Sequence, residues 1–248
     1  GKNGYGSTRR GIAPVYSDKY AKKAVRAGDL LHTAYLESRL PDILEYKNLM
    51  IEKVYQKQGM SLDAAMEYLK TYGEEFREYI CDTGAYLWEA QQAGKRIMFE
   101  AQLGALRDID YGIYPFTSSS NTIAAYAPIG AGVPGLKLDT VVGIMKAYST
   151  CVGAGPFTVE MEGDEAEELR KAGGEYGAAT GRPRRVGAFD VVASKYGIIA
   201  QGSDKLALTK LDVLSYMKKI PVCVAYSYNG ETIHNFPVGE VLDNAAPV

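Results

Sequence analysis

An α/β fold, with a mixed, largely parallel sheet flanked by helices, is what this sequence predicts, and three observations predict it. Residues 17–93 carry apolar residues at helical spacing. The second half of the chain alternates helix-like and strand-like segments, the pattern of a sheet with helices packed on it. Glycine-rich stretches follow several of the apolar runs, where ligand loops of such sheets lie, at the carboxyl ends of strands.

In chain order, residues 1–16 are glycine-rich, carry Arg9 and Arg10, and read as a loop. Leu62, Ala65, Met66 and Leu69 fall at i, i+3, i+4 and i+7 behind Ser61, which predicts an amphipathic helix with its N-terminal cap. Similar spacing around Leu30–Leu36, Ile43–Val54 and Ile80–Trp88 brings the expected number of helices here to three or four. Beyond Gly94, "KRIMFEAQ" (95–102) reads as a short buried strand, and residues 104–135 as a long Gly-, Ser- and Asn-rich connection of the kind that is uncommon unless functional. "LDTVVGIMKAYST" and "PFTVEM" read as strand or helix-edge segments, and "GDEAEELRKAGG" and "FDVVASKYGIIAQ" as helices. "KLALTKLDVL" and "IPVCVAYSY" read as strands. The expected organisation is a partial single α/β domain over residues 1–248. It comprises a helical subdomain at about 17–93 and a sheet-containing part over 94–248 that carries the substrate loops.

A chain of 248 residues with 46% hydrophobic content can bury a sizeable core, and its net charge of -2 argues against a general nucleic-acid binder. Anion recognition must then be local. Cys81, Cys151 and Cys223 are odd in number and lack metal-ligand spacing, so they read as reduced thiols of a cytoplasmic protein. No apolar run is long enough for a membrane span.

"GAATGRPRRVGAFD" (177–190) sets Arg182, Arg184 and Arg185 in a loop shaped by Gly177, Gly181 and Pro183. Forked, permanently charged donors in a loop suit carboxylate or phosphate. In "TKLD" (209–212) an aspartate follows an apolar run at a strand end; its carboxylate can accept from N1–H and the 2-amino group of guanine while the stem of Lys210 covers the base. "FEAQLGALRDIDYGIYPFTSSSN" (99–121) concentrates amides, hydroxyls and carboxylates that can address phosphates and base edges, or cap local turns. His32 and His234 are the only histidines and are read as structural or exposed. No Gly-x-x-x-x-Gly-Lys-Ser/Thr loop occurs. These patterns leave open a catalytic protein and a non-catalytic purine-nucleotide-binding module.

Taken in order, "GSTRRGIAPVYSDKYAKKAVRAGDLL", "MFEAQLGALRDIDYGIYPFTSSSNT", "VVGIMKAYSTCVGAGPFTVEM", "GGEYGAATGRPRRVGAFDVV" and "LTKLDVLSYMKKIPVCVAY" resemble adenylosuccinate synthetases. The resemblance implies GTP- and Mg2+-dependent coupling of IMP and L-aspartate, by phosphorylation of the IMP 6-oxygen and displacement of phosphate by the aspartate amine. It implies that Thr8, Lys22, Gln102, Ser118 and Arg182 serve IMP, and that Val152, Thr180, Arg182 and Arg184 serve aspartate. Arg184, Lys210 and Asp212 would serve GTP. Lys22 stands where the family generally has an arginine that reaches the neighbouring site of a homodimer. The usual Phe-Glu-Gly-Ala-Gln-Gly appears as "FEAQLG", which shifts the IMP-contacting glutamine by one place to Gln102. The family's phosphate loop, catalytic aspartate and histidine, and second guanine loop have no counterpart in these residues. The expectation is therefore a central portion of the enzyme, without catalytic or Mg2+-binding residues of its own and inactive alone.

Overall fold

The computed structural model describes residues 10–177 and 181–248, and its elements fall into two compact units. One comprises Gly11–Met98 with Ala131–Val133, and is helical: α1 (Ile12–Ala21), α2 (Thr33–Leu49), α3 (Leu62–Glu75) and α4 (Thr83–Gln92). The Ser61 hydroxyl accepts from the Ala64 N–H, as the capping pattern predicts, and Asp82 caps α4 through the Ala85 N–H. Leu36 and Leu40 of α2 meet Ala65 and Met66 of α3 in a small buried cluster with Leu69 packed against it, so the predicted stripe is buried from Ala65 onward while Leu62 is exposed. Helix α1 begins at Ile12, inside the segment expected to be loop, and Gly11 supplies the left-handed entry to it at φ 82°. The expectation failed because no side-chain cap precedes this helix and none of its residues is buried, so neither start signal nor periodic stripe advertises it.

The second unit, including Phe99–Gly130 and Pro134–Val248, contains the strands. In order they are α5 (Ala127–Ala131, which crosses the unit boundary), β1 (Val142–Lys146), β2 (Ser149–Cys151), α6 (Gly163–Gly173), β3 (Arg185–Gly187), β4 (Phe189–Asp190), α7 (Val191–Gln201), β5 (Lys205–Thr209), β6 (Val222–Cys223), β7 (Tyr226–Tyr228), β8 (Glu231–Ile233), α8 (Glu240–Asn244) and β9 (Ala246–Pro247). Strands β1 and β5 run parallel from Val142↔Lys205 to Lys146↔Thr209, and β4 pairs parallel with β6. Strand β2 pairs antiparallel with β3, and β7 lies antiparallel between β8 and β9. The class is α/β with mixed pairing, distributed among the described residues over four small sheets.

Two segments read as strands are not. Residues 95–102 form no regular element, and "PFTVEM" contributes only an isolated bridge from Glu160 to Gly187. Met98, the middle of the first run, is 88% exposed, so the apolar pattern there marks no core. A buried cluster of Ala147, Tyr148, Ala166, Leu169, Val186 and Leu214 clamps α6 against the β1–β2 turn, β3 and the 3-10 turn Asp212–Tyr216. That packing brings the later ligand-side segments to one place.

Candidate functional site

The parallel pair β1–β5 ends at Lys146 opposite Thr209, and the Ala147 N–H donates to the Thr209 carbonyl (2.9 Å). "TKLD" therefore leaves the sheet beside the turn that carries Tyr148. Lys210 turns the chain with φ 62°, and its ammonium donates to the Gly173 carbonyl at the end of α6 (3.3 Å). Asp212 opens the following 3-10 turn and is exposed. This is the carboxyl end of a parallel strand pair, where α/β folds place ligands.

Glu175 joins the same region. It is 1% exposed, and its Oε1 accepts from the Lys146 ammonium (2.8 Å) and the Tyr148 hydroxyl (2.5 Å). Its Oε2 accepts from Nη1 of Arg184 (2.9 Å). Burial pushes the Glu175 carboxyl upward, but the bonds from Lys146 and Tyr148 and the nearby cations outweigh it and hold the acid below its ordinary value. Tyr148 moves the other way, raised by burial and by the carboxylate it donates to. Gly173 is required for this packing, since a Cβ there would run into the Tyr148 hydroxyl.

Backbone bonds fasten the arginine segment to this carboxylate. The Arg184 N–H donates to the Glu175 carbonyl (2.9 Å), and Nε of Arg170 donates to the Arg184 carbonyl (3.0 Å). Tyr176 bridges Pro183, and the Gly177 N–H donates to the Arg182 carbonyl (2.8 Å), which closes the neck of the loop. Arg182 is exposed at that neck; Thr180 and Thr8 lie outside the described residues. Arg184 differs from the free loop arginine that the sequence suggests. It is half-buried and ion-paired, and Nε is buried without a hydrogen-bond partner.

Arg185 lies inside strand β3. Its Nε donates to Glu160 Oε1 (2.7 Å) and its Nη2 pairs with Glu160 Oε2, while Nη1 donates to the carbonyls of Gly153 (3.3 Å) and Gly155 (2.8 Å). Arg107 reaches the same loop, donating to the Val152 carbonyl (3.0 Å) and to Cys151 Sγ (2.8 Å). The segment containing Val152 is thus gripped by two guanidiniums, and Val152 itself is 61% exposed.

Arg107 also ties in the Ser118 loop. Its carbonyl accepts from the Ser118 N–H (2.8 Å), and the Ser118 and Ser120 hydroxyls are bonded to each other (2.8 Å). Asp108, 0% exposed, shapes that loop by accepting backbone N–H bonds from Asp110, Tyr111, Thr122 and Ile123. Gln102 is exposed in an irregular stretch ahead of Leu103, whose φ is 74°. Lys22 is exposed at the left-handed C-cap of α1 (φ 59°) in the helical unit.

Ser118, Val152, Arg182, Arg184, Lys210 and Asp212 therefore sit on segments bonded to one another within the strand-containing unit. Sequence reasoning missed Glu175, Lys146, Tyr148 and Arg107. The available signals were a lysine closing an apolar run in "VVGIMK" and a glutamate among glycines in "GGEYG". Among the described residues no three His, Cys, Asp or Glu side chains come together in a group that could hold a metal ion. Nor is any described helix long and apolar enough to cross a membrane.

The family model of adenylosuccinate synthetase matches residues 1–248. The chain is 42% identical over 249 residues to the adenylosuccinate synthetase of Frankia casuarinae and 41% identical to that of Bacillus licheniformis. It is covered completely in both matches and spans 58% of each relative. The solved structure of fully ligated adenylosuccinate synthetase from Plasmodium falciparum superposes with a TM-score of 0.89 at 31% identity, over 98% of this chain and 58% of that one. A match that runs through every described element and every loop above means that this chain belongs to the adenylosuccinate synthetase family.

Proposed function

We propose that this chain is the substrate-loop portion of a GTP-dependent ligase that joins IMP and L-aspartate to form adenylosuccinate. The observation that carries the reading is the convergence of "TKLD" and the arginine segment at the carboxyl end of β1–β5. In this reading Asp212 accepts from the two Watson–Crick-edge donors of guanine, and Lys210, its ammonium tied to the end of α6, covers the base. Arg184 and Arg182 direct guanidinium donors at the aspartate carboxylates beside Thr180 and Val152. Thr8, Ser118, Gln102 and Arg182 address IMP, with Lys22 acting on the neighbouring site of a homodimer. Arg184 also faces GTP.

Mg2+, when bound, would neutralise charge on the transferring phosphoryl group. These residues bind and orient; they do not supply the base or the phosphate cradle. The 248-residue chain purified alone is accordingly expected to give no turnover of IMP, aspartate and GTP, in a cytoplasmic setting or in vitro.

The deciding experiment is Asp212→Asn in the full-length enzyme. Its amide presents one donor and one acceptor, which suits the 2-oxo group of xanthine and leaves a guanine donor unmatched. GTP use is expected to fall by roughly a hundredfold or more while xanthosine triphosphate becomes a substrate. Unchanged GTP kinetics overturn the guanine assignment.

A further inference from the structure

Arg184 reaches any ligand from an anchored position, and the anchor is a residue to which neither the motifs nor the family match assigns a role. Glu175 is 2% exposed at its side chain, whereas its two cationic partners, Lys146 and Arg184, are 28% and 32% exposed. The negative charge is inside and the positive charges face outward. With one carboxylate against two cations, the cluster keeps a surplus positive charge at its solvent face. Only Nη1 of the Arg184 guanidinium is bonded to the acid. A fork held at one tine by a buried carboxylate is fixed in orientation while it can still donate through another.

Three features make the anchor stiff. Tyr148 donates to the same carboxylate from a 3% exposed position in the core. The Glu175 backbone is bonded on both sides, its N–H to the Arg170 carbonyl and its carbonyl to the Arg184 N–H (both 2.9 Å). Arg170 in turn bonds the Arg184 carbonyl, so the backbone and the side chain of Arg184 are both referred to the end of α6.

From this we infer that Glu175 is a positioning residue for the aspartate substrate, acting through Arg184. The inference rests on the reading of Arg184 as an aspartate-binding residue. Glu175 touches no substrate; it lowers the conformational cost of presenting the guanidinium to a carboxylate. Lys146 supplies a second countercharge, so the buried carboxylate stays compensated while Arg184 presents its remaining donors to substrate.

The test is a double-mutant cycle in the full-length enzyme, with KM for aspartate, KM for IMP and kcat measured for Glu175→Gln, Arg184→Leu and both together. Glu175→Gln keeps the shape and removes the charge. We expect its KM for aspartate to rise about tenfold, with kcat falling far less and KM for IMP nearly unchanged. The double variant should match Arg184→Leu alone, because the anchor has nothing left to position. Glu175→Asp, which restores the charge one methylene short, should recover part of the loss. Should Glu175→Gln not fold, Tyr148→Phe in the same cycle deletes the uncharged donor to Glu175 and is expected to raise KM for aspartate two- to threefold, again non-additively. Arg184→Leu with an unchanged KM for aspartate would overturn the Arg184 reading itself and this inference with it. An Arg184→Leu effect joined by additive Glu175 effects, or by a Glu175→Gln loss confined to kcat or shared equally by IMP, would overturn the inference alone.

Discussion

Asp108 and Glu175 are carboxylates of the same unit, 0% and 1% exposed, and they are stabilised by different kinds of donor. Asp108 accepts from four backbone N–H groups of its own loop, from Asp110 to Ile123. Glu175 accepts from an ammonium, a phenol and a guanidinium supplied by the β1–β2 region and the start of β3. The first arrangement spends a charge on shape: neutral donors fixed in a chain cannot leave without unfolding the loop. The second holds two cations on long side chains, both partly exposed. In the proposed reading, the loop that keeps the Ser118 hydroxyl in place uses the former, and the segment that would offer a guanidinium to a ligand uses the latter.

The sharpest way to break this contrast is Asp108→Ala. Four N–H groups would lose their acceptor in a site closed to water, each lost bond to a charged acceptor being worth about 1.5–3 kcal/mol before relaxation. We expect a loss of about 4 kcal/mol or more in urea unfolding, or failure to accumulate folded protein. A loss under about 1 kcal/mol would mean that the loop does not depend on the carboxylate.

Acid unfolding tests both sites together. Burial raises each acid, but backbone bonds on Asp108 and cationic and phenolic bonds on Glu175 leave both below their ordinary values of 3.8 and 4.5. A depressed folded-state pKa gives stability that is fully present above the unfolded value and lost as pH falls through the folded one. Stability should therefore hold down to about pH 5 and then decline, and Glu175→Gln should decline less steeply than the parent. An identical acid slope in the variant would remove Glu175 from the account.

Arg184→Leu is expected to cost about 1–2 kcal/mol, well short of the 3–5 kcal/mol typical for breaking a buried pair, because Glu175 retains Lys146 and Tyr148. Its larger effect should be a KM for aspartate raised by tenfold or more. If thermal unfolding shows a loss as large as that of Asp108→Ala, Glu175 is a structural acid of the same kind and the contrast collapses.

Legibility follows the same division. The Ser61 cap and the Leu62–Leu69 stripe were readable because capping and amphipathic spacing are local properties of a few consecutive residues. The "TKLD" strand end and the arginine segment were readable as composition, and "LALT" does form the end of β5. What could not be read was which charges neutralise which. Glu175 meets Lys146 across 29 positions and Arg107 meets Val152 across 45, and no spacing rule connects them. The strand read at 95–102 failed for the same reason: an apolar run specifies a strand only where something packs on it.

Arg185→Lys should have the smallest effect, and it asks whether neighbouring arginines divide the labour. Arg185 already engages the Glu160 carboxylate through Nε and Nη2 and two loop carbonyls through Nη1. It also lies over the Phe157 ring at 5.4 Å. Its fork is thus committed to holding the Gly153–Gly155 turn, where Gly155 (φ 111°) leaves no room for a side chain against Phe116. Lysine keeps the charge and one bond to Glu160 but cannot span the acid and both carbonyls together. Arg107 still grips the Val152 carbonyl, so the loop should loosen without detaching. The expected cost is about 1 kcal/mol in unfolding and a rise in KM for aspartate of about threefold, through Val152 and not through a lost substrate bond. A rise in KM matching that of Arg184→Leu, at unchanged stability, would show that Arg185 grips the substrate itself and that its bonds to Glu160 and the turn are given up on binding.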